Sequence, residues 1–241
     1  MSSLINFFDK SYVINLPERQ DRRKTIEWEL KSSGVSLPSN KITLFPAFKP
    51  TDKGKFPSIG ARGCFLSHLA VLIAARDEHL NNVLIIEDDL SFTNRFLKHQ
   101  HIVANELQSL EWDFLYLGHI EVAKPTKTIS FQKFTGSLQT ASFLAINGRI
   151  IPHWVTFLED VLNREAGHPR GGPMHVDGAY STFRQQNSEV ITLIAIPSLG
   201  FQRASPSDIA GQHWFDRLPV FKQLSSNTRR LKIWYQRQFK H

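Results

Sequence analysis

Apolar residues in this chain gather in short runs, separated by charged stretches of helical composition. Residues 11–16 (SYVINL) are one such run, stopped by Pro17, and predict a buried strand. Residues 18–33 are charged and helical in composition, with Gly34 placed to end the helix. Residues 43–47 predict a second strand, and the Gly-, Pro- and Lys-rich stretch 50–60 a loop. Residues 61–79 carry Cys64, Leu66, Leu69, Leu72 and Ile73 on the apolar face of a helix, which Asn81-Asn82 breaks. Four consecutive aliphatic residues, 83–86 (VLII), have the pattern of a strand buried on both faces. A helix over about 95–110 and a strand over 112–117 follow, then a polar, irregular stretch at 124–135 and a strand at 142–146. Asn147-Gly148 open a helix bearing Trp154, Leu158 and Leu162; 164–173 is a loop; a helix capped by Asp177 runs to 187; and 190–196 is the last clear strand. Strands that alternate with helices predict an α/β fold with a mainly parallel sheet.

Composition narrows this to one folded unit. The chain has 241 residues, 41% of them hydrophobic, enough for a single domain with a sizeable core. Cys64 is the only cysteine, so no intramolecular disulfide can form, and a reducing compartment, the cytoplasm, is expected. No apolar run reaches about eighteen residues and the first ten contain no long apolar stretch, so neither a membrane span nor a signal peptide is expected. The net charge of +7 is unevenly placed: seven of the 29 basic residues lie in 217–241 with no acidic residue, leaving 22 basic against 22 acidic groups before them. The chain is therefore read as a domain, 1–216, followed by a basic tail, 217–241. The tail mixes its charges with Leu231, Ile233, Trp234, Tyr235 and Phe239, the composition of an interfacial anchor on the inner face of a membrane. The competing reading is a terminal helix packed on the domain.

The strongest chemical signal is VLIIEDDL, residues 83–90. Three adjacent carboxylates at the end of a buried strand are costly unless a divalent cation joins them, and hard oxygen ligands suit Mg²⁺ or Mn²⁺. Strand alternation would send Glu87 and Asp89 one way, as metal ligands, and Asp88 the other. The competing reading is an acidic turn that caps the next helix. YVINLPERQDRR, residues 12–23, delivers Asn15 and the arginines 19, 22 and 23; Asn15 and Arg19 are the candidates for holding a nucleotide. GARGCFLSHL, residues 60–69, places Ser67 and His68 one turn into a helix, either as ligand contacts or as structural residues. In HVDGAYSTF, residues 175–183, Asp177 is the candidate base for an acceptor hydroxyl, a role compatible with capping the helix. In the segment 197–213, Gln202 and Asp208 are candidate donor contacts and His213 a candidate third metal ligand.

Taken in order, these segments resemble glycosyltransferase family 25, the lipopolysaccharide-biosynthesis group related to collagen galactosyltransferases. The resemblance rests on Val13-Ile14-Asn15-Leu16 with Arg19 and Arg22; on Gly63, Cys64, Ser67 and His68; and on Glu87, Asp88 and Asp89. It continues through Trp112, Asp113, Leu117 and Gly118; Thr140, Phe143 and Ile146, with Phe where the family has Tyr; Val176-Asp177; and Gln202 with Ser207-Asp208-Ile209. It implies a GT-A type fold, a Rossmann-like, mainly parallel sheet flanked by helices in a single domain. It also implies an inverting transfer from a UDP-sugar, galactose being the commonest, with a divalent metal at the acidic motif and Asp88 near the ribose or sugar. A glycan such as lipopolysaccharide, or a lipid-linked saccharide, is the expected acceptor. A metal-dependent nuclease or phosphohydrolase, or a transferase acting on nucleic acid, is the less favoured alternative; it accounts for the acidic cluster and the basic tail but not for the other motifs.

Overall fold

The computed structural model describes residues 4–120, 126 and 128–203. After a 3₁₀ turn at Leu4–Phe7, the elements are β1 (Lys10–Asn15), α1 (Gln20–Ser32), β2 (Ile42–Pro46), α2 (Ile59–Asp77), β3 (Asn82–Glu87), β4 (Leu90–Phe92) and α3 (Asn94–Leu107). They continue as β5 (Phe114–Tyr116), β6 (Ser130–Lys133), β7 (Phe143–Asn147), α4 (Ile151–Asn163), α5 (Val176–Gln186), β8 (Thr192–Ile196) and β9 (Gly200–Gln202). Seven strands form one sheet in the order β2-β1-β3-β7-β5-β8-β6, while β4 and β9 form a separate antiparallel pair. The pairings β1–β2, β1–β3 and β5–β8 are parallel, and β7 and β6 run against their neighbours. The expected α/β class, a Rossmann-like and mainly parallel sheet flanked by helices in one domain, is what the chain adopts.

Period-two alternation sorts the strand residues into two cores. Tyr12, Ile14, Val83, Ile85, Phe114, Tyr116, Leu144 and Ile194 face one side, where α2, α4 and α5 pack together. Val13, Leu84, Ile86, Leu115, Ala145 and Leu193 face the other, which residues of α1, α3 and the N-terminal turn cover. The first core centres on Trp154, fully buried, with ring centroids of Tyr180, Phe183, Phe157 and Phe114 at 4.5, 4.9, 5.5 and 5.8 Å. α2 is, by length and composition alone, the one helix among the described residues long and apolar enough to cross a membrane. It serves instead as a core helix: Phe65, Val71, Leu72 and Ala75 are fully buried in the first core.

Capping follows the chain's chemistry. Ser58 caps α2 by accepting the Ala61 N–H at 3.0 Å, and the helix begins at Ile59, two residues before the expected start. Gly34, just past α1, has φ of 84°, the left-handed conformation for which glycine is suited. Three strands escape the apolar pattern. β6 is a sheet edge whose Gln132 and Lys133 are exposed, so it lacks an apolar run, and β4 and β9 have only three residues each. Their pairing, Leu90 opposite Gln202 and Phe92 opposite Gly200, ties the segment after β3 to the segment after β8. A close approach supports the junction: a Cβ on Gly118 would lie 2.9 Å from the Cβ of Phe143 and 3.2 Å from the carbonyl oxygen of Gly200. The expected tail, 217–241, lies outside the described residues.

Replacing Trp154 by alanine leaves a cavity among four aromatic rings. The expected cost is about 3–5 kcal/mol of unfolding free energy, read from urea denaturation; a loss below about 1 kcal/mol would contradict this placement of the core.

Candidate active site

The parallel strands β1 and β3 end side by side, Ile14 opposite Glu87, and this edge gathers the polar residues. In such sheets ligands bind beyond the carboxyl ends of the strands. β3 stops at Glu87, and Asp88 and Asp89 occupy a turn before β4. Strand alternation therefore does not divide the three carboxylates as expected: Glu87 separates from the other two. Glu87 keeps the facing of Val83 and Ile85, toward α2. There its Oε1 is 3.3 Å from His68 Nε2 and accepts the Cys64 S–H at 3.4 Å. Asp88 and Asp89 turn toward α1. Asp88 Oδ2 accepts a hydrogen bond from Asn15 Nδ2 at 2.7 Å, its Oδ1 one from Arg22 Nη1 at 3.0 Å, and the same Arg22 nitrogen is 3.7 Å from Asp89 Oδ2. Gln202 of β9 donates to Asp89 Oδ2 at 3.1 Å.

Asn15 and Gln202 thus meet Asp88 and Asp89, while Glu87 stands with His68 and Cys64. Arg19 does not join them: its guanidinium is paired through two nitrogens with Asp21, at 3.0 and 2.9 Å, where α1 begins. The arginine at the acidic turn is Arg22. Its spacing was visible in the same motif, but which of two nearby arginines faces the sheet depends on where the helix starts. Ser67 is fully buried and occupied locally: its hydroxyl donates to the Gly63 carbonyl at 2.6 Å and accepts the Phe48 N–H at 2.8 Å, fastening the loop after β2 to α2. His68, also fully buried, lies between Glu87 and the Tyr180 hydroxyl, 3.4 Å from its Nδ1. Cys64 had been counted as part of the apolar face; four residues before His68 on one helix, it reaches the same carboxylate. Asp177 is not the helix cap. α5 begins at Val176 after His175, so Asp177 sits in the first turn, where its Oδ1 accepts the Gly178 N–H at 2.9 Å. Asp208 and His213 lie outside the described residues.

Burial dominates the electrostatics. It raises the pKa of Asp88, whereas Asp89, pressed also by the charge of Glu87, is pushed up to about 7. Asp177 is raised by burial as well, and the charge of Glu87 adds to the effect, so Asp177 belongs to the same electrostatic neighbourhood. For Glu87 burial acts the same way, yet hydrogen bonding and charge from His68, with Cys64 and Arg22, hold its carboxyl below the usual range. Burial drives the Cys64 thiol well up. At the turn, Asp89 Oδ1 is buried without a hydrogen-bond partner among the described residues. An orphaned carboxylate oxygen among further oxygen donors suits a hard divalent cation. A second set, Cys64, His68 and Glu87, has ligand atoms within 4.8 Å of one another and could also hold a metal ion.

The family model described as glycosyltransferase family 25 (LPS biosynthesis protein) matches residues 39–140. Procollagen galactosyltransferase 1 of Danio rerio is 30% identical over 142 residues, 51% of this chain and 24% of its own length. Procollagen galactosyltransferase 2 of Homo sapiens is 28% identical over 142 residues, 51% and 23% of the two chains, and the human inactive glycosyltransferase 25 family member 3 is 28% identical over 147 residues, 54% and 24%. The match spans about a quarter of the length of these relatives. A solved glycosyltransferase involved in the glycosylation of the major capsid of PBCV-1 superposes with a TM-score of 0.49 at 8% identity, over 81% of this chain and 93% of that one. The sequence matches support glycosyltransferase family 25, as the motifs implied.

The raised pKa of Asp89 makes a pH-dependent prediction. An unfolded aspartate releases its proton near pH 4 and the folded one near 7, so this group's contribution to stability is present below about pH 4 and lost as pH rises through about 7. A cation that replaces the proton should stabilise the chain more across that window. The rise in melting temperature caused by a fixed Mn²⁺ concentration should be larger at about pH 8 than at about pH 5. An equal or smaller rise at the higher pH would remove Asp89 from the cation site.

Proposed function

We propose that this chain, whose residues 39–140 carry the family 25 pattern, is a nucleotide-sugar-dependent glycosyltransferase that moves a sugar from a UDP-sugar to a saccharide hydroxyl. Galactose is the favoured sugar, because the relatives named above include procollagen galactosyltransferases. The observation that carries the reading is the acidic turn at the carboxyl end of β3, with a buried Asp89 oxygen that has no hydrogen-bond partner. Asp89 would hold Mn²⁺ or Mg²⁺, which would neutralise charge on the departing diphosphate, while Glu87 is engaged by His68 and Cys64 on the α2 side. Asn15 and Arg22, whose side chains order Asp88, stand where the nucleotide would lie. Asp177 accepts the proton of the acceptor hydroxyl; the oxygen forms its bond to the anomeric carbon as the bond to the diphosphate breaks, and the configuration inverts. A carboxyl whose pKa is raised by burial is a better base for this step than an exposed one. The basic, aromatic residues 217–241 would bring the enzyme to a lipid-linked acceptor at a cytoplasmic membrane face.

A panel of UDP-sugars, assayed for hydrolysis and transfer with and without Mn²⁺, tests the reading. Turnover should require the metal, and Asp89→Ala should lower kcat by about a hundredfold while the variant still melts cooperatively. Unchanged activity and donor affinity in Asp89→Ala would overturn the metal assignment.

A further inference from the structure

Arg203 is a buried arginine beside the acidic turn that no motif singled out. It follows β9 directly, and its backbone N–H donates to the Asp89 carbonyl at 2.8 Å. Its guanidinium then folds back under the turn. Nη2 donates to the carbonyl of Asp88, and Nη1 to the carbonyl of Leu90 and, at 3.2 Å, to Ser91 Oγ. Arg203 thus engages three consecutive carbonyls and the hydroxyl after them, but neither aspartate side chain among its hydrogen bonds. It holds the backbone of the turn and leaves the carboxylates to other partners.

The guanidinium is itself held. Glu29, buried in α1, lies 3.8 Å from Nη1, accepts the Ser91 hydroxyl at 2.9 Å through Oε1, and accepts the Phe92 N–H at 3.2 Å through Oε2. Glu29 is seven residues from Arg22 and shares its face of α1, so one helix supplies both the cation that meets the aspartate side chains and the anion that fixes Arg203. A buried ion pair of this kind contributes little net stability, which leaves specifying a geometry as its more informative role.

We propose that Arg203 is a positioning residue: locked by Glu29 and Ser91, it fixes the backbone of the Asp88–Leu90 turn in the spacing that a divalent cation and a donor diphosphate need. This rests on the donor-site reading above. The sign of one effect separates positioning from plain electrostatics. Arg203 carries a positive charge close to the acidic turn, so removing it would tighten cation binding if the field alone mattered. Loss of positioning weakens it, because groups behind a metal ligand typically govern 10–100-fold in affinity.

The experiment titrates Mn²⁺ into the full chain at a fixed UDP concentration by calorimetry, for wild type, Arg203→Met, Arg203→Lys and Ser91→Ala, with thermal melts alongside. Weaker Mn²⁺ affinity by about tenfold or more is expected for Arg203→Met, a smaller loss for Arg203→Lys, which keeps the charge without the fork, and about threefold for Ser91→Ala, which keeps every charge. If Arg203→Met does not fold, the other two variants decide. Unchanged or tighter Mn²⁺ binding in the folded variants overturns the positioning role while leaving the donor site standing. Absence of Mn²⁺-dependent UDP binding in the wild type overturns the donor-site reading, and this inference with it.

Discussion

Negative charge held away from water at the end of a central strand is the constraint around which this molecule is arranged. β3 is buried from Val83 to Ile86, and Asp88 and Asp89 just beyond it are buried too, so the carboxylates at its end draw most of their partners from the fold. β1, lying parallel, brings Asn15; α1 brings Arg22 and Glu29; α2 brings Cys64 and His68; and the β4–β9 pair brings Gln202 and Arg203. The elements nearest the turn are joined through the charge they compensate as well as through the apolar cores. The compensation stops short: Asp88, Asp89 and Asp177 still have raised pKa values, and an Asp89 oxygen lacks a partner. A divalent cation, under the proposed function, would complete that compensation.

The turn after Glu87 gives the carboxylates two settings. Glu87 sits among Cys64, His68 and Tyr180 on the α2 side, Asp88 and Asp89 among polar groups on the α1 side. The first setting brings a thiol, an imidazole and a carboxylate within 4.8 Å of one another, and burial drives the thiol well up. As a neutral thiol, Cys64 donates to Glu87 and, with His68, keeps that carboxylate ionised.

Much of this architecture is legible in the chain because buried strands announce themselves by apolar runs: residues 11–16, 83–86, 142–146 and 190–196 each contain or overlap a strand of the sheet. What the pattern omits has physical causes. The antiparallel course of β7 depends on connections rather than composition, and β6 is a polar edge. At the site, the acidic triplet was readable as chemistry but not as geometry, since alternation holds only while the strand lasts, and the strand ends at Glu87. Asn15 lies within a strand, so its place beside Asp88 follows from the pairing of β1 with β3; which of Arg19 and Arg22 faces the turn does not, because helix starts shift by a residue or two and each residue turns the side chain by about 100°. Arg203 left no signal at all: a buried arginine and a solvated one look alike until the fold shows which carbonyls it reaches.

The same charges bear on the order of binding under the proposed function. Glu29, Glu87, Asp88 and Asp89 face Arg22 and Arg203, so the fully ionised cluster carries more negative than positive charge. A diphosphate approaching it alone would meet repulsion in a setting of low dielectric, where such effects are strongest. A divalent cation removes that barrier and gives the diphosphate a partner, so cation and donor should strengthen each other's binding by the same factor. The energy of that coupling depends on the carboxylates being held in place before either ligand arrives, since ordering them at the moment of binding would consume part of it. A backbone clamp built from a buried Arg203–Glu29 pair meets that requirement, because it orders the turn through its carbonyls and keeps an Asp89 oxygen available to the ion.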